Sequence, residues 1–216
     1  MTGWVGVSVA TVAGLAAGLG SYRRLRTRFY RRAEESRPER TLAWVIPADA
    51  LASGLIAWAL REWPAAVVVT GVVATWVMVA LAAIDTDVHR LPRQLTWPSY
   101  PALALLLTGC SAAAGDWSAS GRAGLAGLAT WTLYYALHRL ARRRGLGRGD
   151  VTLAGLLGML LGWFGWSAVG MATYAAFLLG GGVALVLVLA RRVTRDAHIA
   201  FGPAMLAGAY LVLLLQ

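Results

Sequence analysis

Apolar residues run along this chain in blocks of about twenty, separated by short polar connections rich in arginine. Eight blocks are read, at about 3–20, 42–60, 64–84, 96–114, 122–139, 151–166, 168–190 and 201–215. Roughly twenty apolar residues are what a helix needs to cross the hydrocarbon core of a bilayer. Only a helix or a closed barrel satisfies its backbone polar groups there. The pattern therefore predicts an all-α, polytopic transmembrane bundle of about eight spans. The shortest break lies between spans six and seven, where GWFGWS must turn within a few residues. The first block follows no basic residues and is itself followed by arginines, so it is expected to span rather than to be a cleavable signal. Residues 1–63 are expected to form a two-helix segment with a basic loop, and residues 64–216 a six-helix core. The pairs Gly14/Gly18 and Gly158/Gly162 have the spacing that lets helix backbones approach closely.

Composition agrees: 58% of the 216 residues are apolar and 14% charged, against about 25% charged in soluble domains. The net charge of +10 is carried by twenty arginines and no lysine. Eighteen of the arginines fall in the connections 21–41, 85–95, 139–150 and 191–200, which one alternating path places on a single side. By the positive-inside rule that side is cytoplasmic, which leaves both termini outside. This distribution points to membrane orientation, with the lipid bilayer as partner and no nucleic acid. Arg61 and Arg122 fall on the other side. The single Cys110 excludes an internal disulfide and a multi-cysteine zinc site. His89, His138 and His198 are interfacial and scattered, so no metal and no cofactor is expected.

Topology also sorts the ten acids. Glu34, Glu35 and Glu39 sit among arginines of the first basic connection, and Glu62, Asp116 and Asp196 belong to other loops. Asp49, Asp85, Asp87 and Asp150 remain at or inside apolar segments, where an ionisable residue is a functional hypothesis by default. Asp85 ends the third span and Asp150 begins the sixth. Two crossings separate them, so both return to the same membrane face.

Two carboxylates at a membrane surface suit one chemistry in particular. Like charges a few Å apart cannot both ionise, so one stays protonated. The ionised partner takes a proton from water as it attacks a peptide carbonyl, and the protonated one polarises that carbonyl. Residues 145–149 form a glycine-rich loop before Asp150, whose place at a helix start favours a carboxylate. Asp150 is equally placed to be an ordinary helix cap, and Asp85 to mark the end of a span. Asp49 lies just after Pro47, where a proline kink would offer it a polar partner; a structural role or hydration in a cavity is as open to it as catalysis. The Arg148-Gly149-Asp150 tripeptide carries no adhesion reading on the cytoplasmic side.

Gly147-Arg148-Gly149-Asp150-Val151 resembles the GxGD motif of intramembrane aspartyl proteases. Ile84-Asp85-Thr86-Asp87-Val88-His89-Arg90-Leu91-Pro92-Arg93-Gln94-Leu95-Thr96 resembles the first-aspartate motif of the type IV prepilin peptidase family, in which a proline follows the aspartate by seven residues. Counting back from Pro92 favours Asp85 over Asp87. Phe201-Gly202-Pro203 is similar to the family's C-terminal FGP, and the resemblance covers about residues 64–216. It implies a peptidase that cuts the basic leader from prepilin or pseudopilin precursors at the cytoplasmic face of the inner membrane. Asp85 and Asp150 would be its dyad and Gly147 and Gly149 would shape its loop. Pro92, Phe201, Gly202 and Pro203 would be supporting motif residues.

Two positions depart from the family pattern: Thr152 where a lysine is frequent, and Arg93 where Asn or Asp is usual. Longer members carry paired CxxC motifs associated with N-methylation. This chain has none, so methylation is not expected of it. Two other readings remain: a GxGD protease acting on other membrane proteins, against which Ile84 before Asp85 argues, and a catalytically silent scaffold or transporter-like protein.

Overall fold

A computed structural model of the chain describes residues 2–31, 41–140, 147–190 and 201–216. These residues form eight α-helices and no strand: α1 Thr2–Arg26, α2 Val45–Ala59, α3 Ala65–Val88, α4 Arg93–Ala114, α5 Trp117–Leu140, α6 Arg148–Phe164, α7 Trp166–Leu189 and α8 Gly202–Leu213. The expected membrane helical bundle is the observed architecture. Three helices are individually long and apolar enough to cross a membrane, over Gly3–Arg26, Ala65–Val88 and Trp166–Val186, while α2 and α8 are apolar but shorter. The sequence expectations for Arg32, Glu34, Glu35, Arg37, Glu39, Arg40, Arg142, Arg143, Arg144, Arg191, Arg192, Arg195, Asp196 and His198 lie outside the described residues.

Helix α6 is the centre of the bundle: Leu153, Ala154, Leu160, Leu161 and Trp163 on it are all buried, with α4, α5, α7 and α8 packed around it. Helix α7 is the reverse, leaving Met171, Tyr174, Leu178, Leu185 and Leu189 exposed. An exposed apolar face of that extent suits lipid and not water.

Small residues set the closest helix contacts, as their spacing predicts. A Cβ on Gly14 would stand 2.8 Å from the Ser53 Cβ, and one on Gly18 2.8 Å from the Ile46 Cα, so α1 and α2 meet backbone to backbone. On α6, a Cβ at Gly158 would stand 2.8 Å from the Ala126 carbonyl, and one at Gly162 3.3 Å from the Ala123 Cα of α5. The far end of α6 is closed by Arg122, which donates to the carbonyls of Gly162 (2.9 Å) and Trp163 (2.5 Å). Those carbonyls have no partner within the helix.

Several boundaries differ from the expected ones, among them those of α1, α5 and α6. Helix α1 continues to Arg26, six residues past the expected end. Arginine stems can lie along apolar surface while the charged heads reach water, so charge does not stop the helix there. Helix α5 begins at Trp117, because Asp116 accepts from the Ser118 hydroxyl and the Ala119 N–H. The Ser118 hydroxyl, first among the causes, holds the Asp116 carboxyl below its usual range. Helix α6 begins at Arg148, which makes Asp150 its third residue and not its first. The turn expected between spans six and seven is made at Gly165, between α6 and α7.

The polar partner that a proline kink would offer Asp49 is not found among the described residues. Pro47 falls in the first turn of α2, where its missing N–H breaks no helical bond and makes no kink. Asp49 is 0% exposed and neither carboxyl oxygen has a hydrogen-bond partner.

Candidate active site

Asp85 lies in the last turn of α3, which ends at Val88 with His89 in the left-handed conformation (φ 53°) and its N–H donating to the Asp85 carbonyl. The chain then runs through Leu91 to Pro92, whose extended backbone caps α4. The Asp85 side chain is 3% exposed, and its Oδ2 has no hydrogen-bond partner.

Asp150 approaches from α6. As the third residue of that helix it reaches back so that its Oδ2 accepts the N–H of Gly147 at 2.9 Å. The helix-cap reading of Asp150 is thus realised in part, and it occupies only one of the two oxygens.

Both carboxyls converge on Gly202, the first residue of α8. A Cβ at this position would stand 2.5 Å from Asp85 Oδ2 and 3.7 Å from Asp150 Oδ1. The two oxygens are therefore no further apart than those two distances combined, and the carboxyls interact electrostatically. Glycine is needed here because of this close approach. Pro203 follows at the start of α8, where a missing N–H breaks no helical bond. Phe201 packs on Phe177 of α7 with ring centroids 5.3 Å apart. Of the sequence-predicted site residues, Asp85, Asp150, Gly147 and Gly202 meet at one end of the bundle.

Gly149 has a separate role. A Cβ on it would lie 3.1 Å from the Leu91 Cβ and 3.3 Å from the Leu91 backbone nitrogen. The glycine lets the first turn of α6 close on the segment that joins α3 to α4. Thr152, where a lysine is frequent in the resembling family, bonds back to the Arg148 carbonyl (3.2 Å), while its own carbonyl accepts from Tyr100 of α4 (2.8 Å).

Asp87 has different surroundings. Its Oδ2 accepts from Tyr30 (2.8 Å), Arg28 (3.2 Å) and Arg31 Nε (2.9 Å), and its Oδ1 from Arg31 Nη2 (2.8 Å). Of the two aspartates ending α3, the one favoured by the proline spacing faces the second aspartate, and the other is held by arginines. Asp49 lies in the seam of α1 and α2, where Gly14 and Gly18 pack against it.

Sequence reasoning passed over Tyr134 and treated His138 only as a scattered histidine. Thr130 of α5 donates to the Ala154 carbonyl of α6 at 2.9 Å. With the two helices antiparallel, Tyr134 comes level with Asp150 one turn further on. Both Tyr134 and His138 interact electrostatically with Asp150. The signal available in the sequence was their four-residue spacing, which puts them on one helix face.

Along the bundle from the two aspartates lies an apolar cleft between α3, α4, α6 and α8. Leu81, one turn before Asp85, and Leu153, one turn after Asp150, line its near end, and Val77, Ala102 and Leu106 line the rest. Among the described residues no three His, Cys, Asp or Glu side chains gather to hold a metal ion.

Comparison with known proteins is consistent with this geometry. The chain is 36% identical over 141 residues to the prepilin leader peptidase/N-methyltransferase of Aeromonas hydrophila, covering 65% of this chain and 47% of that protein. It is 29% identical over 161 residues to the protein of the same name from Neisseria gonorrhoeae, covering 74% and 52%. Against the Pseudomonas aeruginosa protein the figures are 28% over 173 residues, covering 77% and 56%. The chain thus spans about half the length of the curated relatives it matches, and no solved structure matches it. The family model for type IV leader peptidases matches residues 72–214, a stretch that takes in both converging aspartates and Gly202, and the chain belongs to that family.

Proposed function

We propose that this chain is a membrane aspartyl endopeptidase that removes the leader from prepilin or pseudopilin precursors, with Asp85 and Asp150 as its dyad. The observation that carries the reading is the convergence of these two carboxyls on Gly202. The proposed chemistry is water attack. The ionised carboxylate takes a proton from water, whose oxygen bonds to the scissile carbonyl carbon, while the protonated partner donates to the carbonyl oxygen. As the tetrahedral adduct collapses, its hydroxyl returns a proton to the carboxylate that had donated one, the C–N bond breaks, and the other carboxyl passes the proton it took from water to the departing amine. Asp150 enters this cycle with Oδ2 already held by the Gly147 N–H, so Oδ1 is the atom offered to the water or to Asp85.

The substrate class follows from the family and from the cleft. An apolar segment immediately after the scissile bond is the occupant proposed for the space lined by Leu81, Leu153 and Ala102, because Leu81 and Leu153 stand one helical turn from Asp85 and Asp150. The end of the bundle carrying Arg28, Arg90 and Arg148 is proposed to face the cytoplasm at the inner membrane, with both termini on the far side. Residues 64–216 form the catalytic core in this reading and residues 1–63 an accessory pair of helices.

The reading is tested by co-expressing the chain with candidate prepilins and measuring leader removal by mass. Asp85→Asn and Asp150→Asn should each abolish cleavage while the protein remains folded in the membrane. Cleavage at the wild-type rate by either variant would remove the dyad assignment.

A further inference from the structure

The connection that follows α1 lies outside the matched stretch of 72–214, yet it reaches the end of α3 two residues from Asp85. Arg31 grips Asp87 with two nitrogens on two oxygens, Arg28 and Tyr30 add two more hydrogen bonds, and Arg28 also donates to the Tyr30 hydroxyl (2.9 Å). Arg90, just past the helix, donates in return to the Tyr30 carbonyl at 2.6 Å. The helix end is therefore held from both sides of its last turn.

We infer that residues 28–31 are a built-in clamp on α3, and that Asp87 is a positioning residue through which the clamp orients the Asp85 carboxyl.

Three physical points carry the inference. Helix ends fray unless tied down, and Asp85 lies in the last turn of its helix. A reacting group must nevertheless be held within roughly 0.5 Å of its productive place. The second point is direction. Residues two apart on a helix point about 200° apart, so the clamp grips the face opposite Asp85 and leaves the reacting carboxyl clear. The third is chemistry. A planar guanidinium meeting a carboxylate through two hydrogen bonds fixes orientation as well as distance, and the Asp87 carboxyl is fully enclosed, with 0% of its side chain exposed. Burial, followed by the hydrogen bond to Asp87, pushes the Tyr30 hydroxyl above its ordinary value, so it remains a donor to Asp87. Leu25, Tyr30, Leu42, Val45, Ile84 and Val88 pack into a small apolar cluster beneath the clamp, which seats it against the helix.

The inference rests on the peptidase reading, and the experiment separates the two. Purified wild type, Asp87→Asn, Arg31→Lys, Arg31→Gln and the double variant Asp87→Asn/Arg31→Gln are assayed on one prepilin, with Asp85→Asn as reference. A positioning role predicts that kcat falls about a hundredfold for Asp87→Asn, the cost of misplacing a reacting group by about 1 Å, while KM stays within error. Arg31→Lys, which keeps the charge and loses the fork, should fall as Arg31→Gln does. The double variant should be no worse than Asp87→Asn alone. Wild-type kcat for Asp87→Asn, additive losses in the double variant, or losses confined to KM would each overturn the clamp. The peptidase reading survives those results. It fails instead if the wild type leaves the prepilin uncut or if Asp85→Asn cuts it. Arg31→Lys keeps a cation beside the enclosed Asp87 carboxyl, so it reports even where Asp87→Asn lowers the yield of folded protein.

Discussion

Gly149 stands against Leu91 so closely that a Cβ on the glycine would lie 3.1 Å from the leucine's own Cβ. This contact brings the loop carrying Asp150 onto the segment that follows Asp85, and it separates the duties of two glycines that a motif treats alike.

Gly147 contributes an N–H. A Cβ there would meet Asp150 Oδ2 at an ordinary 3.5 Å, and its φ of −73° is open to any residue. Gly147→Ala should therefore keep most of the cleavage rate, whereas Gly147→Pro, which fits that φ but removes the donor, should lose most of it. Gly149→Ala pushes α6 away from Leu91 and should cost about 1–3 kcal/mol of stability through overpacking, with a loss of rate. Leader removal and thermal unfolding of the three purified variants check this. Equal behaviour of Gly147→Ala and Gly149→Ala would refute the division of roles.

Gly202 gives a sharper prediction. The Cβ of Gly202→Ala would stand 2.5 Å from Asp85 Oδ2 and 3.2 Å from its Cγ, so the carboxyl must leave its place beside Asp150 Oδ1. Cleavage should fall by about a hundredfold, as for other displacements near 1 Å, in a protein that still extracts as a folded species. Wild-type cleavage by Gly202→Ala would mean that Asp85 reacts from some other place.

The eight helices were legible because each is a single apolar block and hydropathy reports it locally. That Gly14 and Gly18 form a packing face was legible for a similar reason, since spacing alone puts small residues on one face, whereas α2 as the partner was not. The difference in surroundings between Asp85 and Asp87 was not a local property. Both close the same helix, and what separates them is Arg28 and Arg31, 59 and 56 residues away in sequence. Gly202 was marked by the Phe201-Gly202-Pro203 resemblance, but its place beside two carboxyls is set only by the fold. The extension of α1 to Arg26 escaped hydropathy because arginines lower the score without breaking the helix.

The apolar cleft can be blocked from the outside. Ala102 lines it on α4 and is itself exposed, so Ala102→Trp fills the space without disturbing the core. If the segment after the scissile bond lies there, KM for a prepilin should rise about tenfold, equivalent to ~1.4 kcal/mol, with kcat unchanged. An unchanged KM would assign the cleft to lipid.

Asp49 decides between a peptidase and a protein that uses its acids for something other than hydrolysis. Its carboxyl is buried without a hydrogen bond in the seam of α1 and α2. An unsatisfied buried polar group costs about 1–3 kcal/mol, so Asp49→Ala, which removes it, should leave the protein as stable as wild type or more so. Asp49→Asn keeps the shape, cannot ionise, and should cut a prepilin at close to the wild-type rate. Both variants are measured beside Asp85→Asn in the same membranes. A dyad at Asp85 and Asp150 requires that Asp85→Asn be inactive while Asp49→Asn is active. The opposite pattern would make Asp49 the working acid, and the chain would then be a binding or transport protein built on a peptidase scaffold.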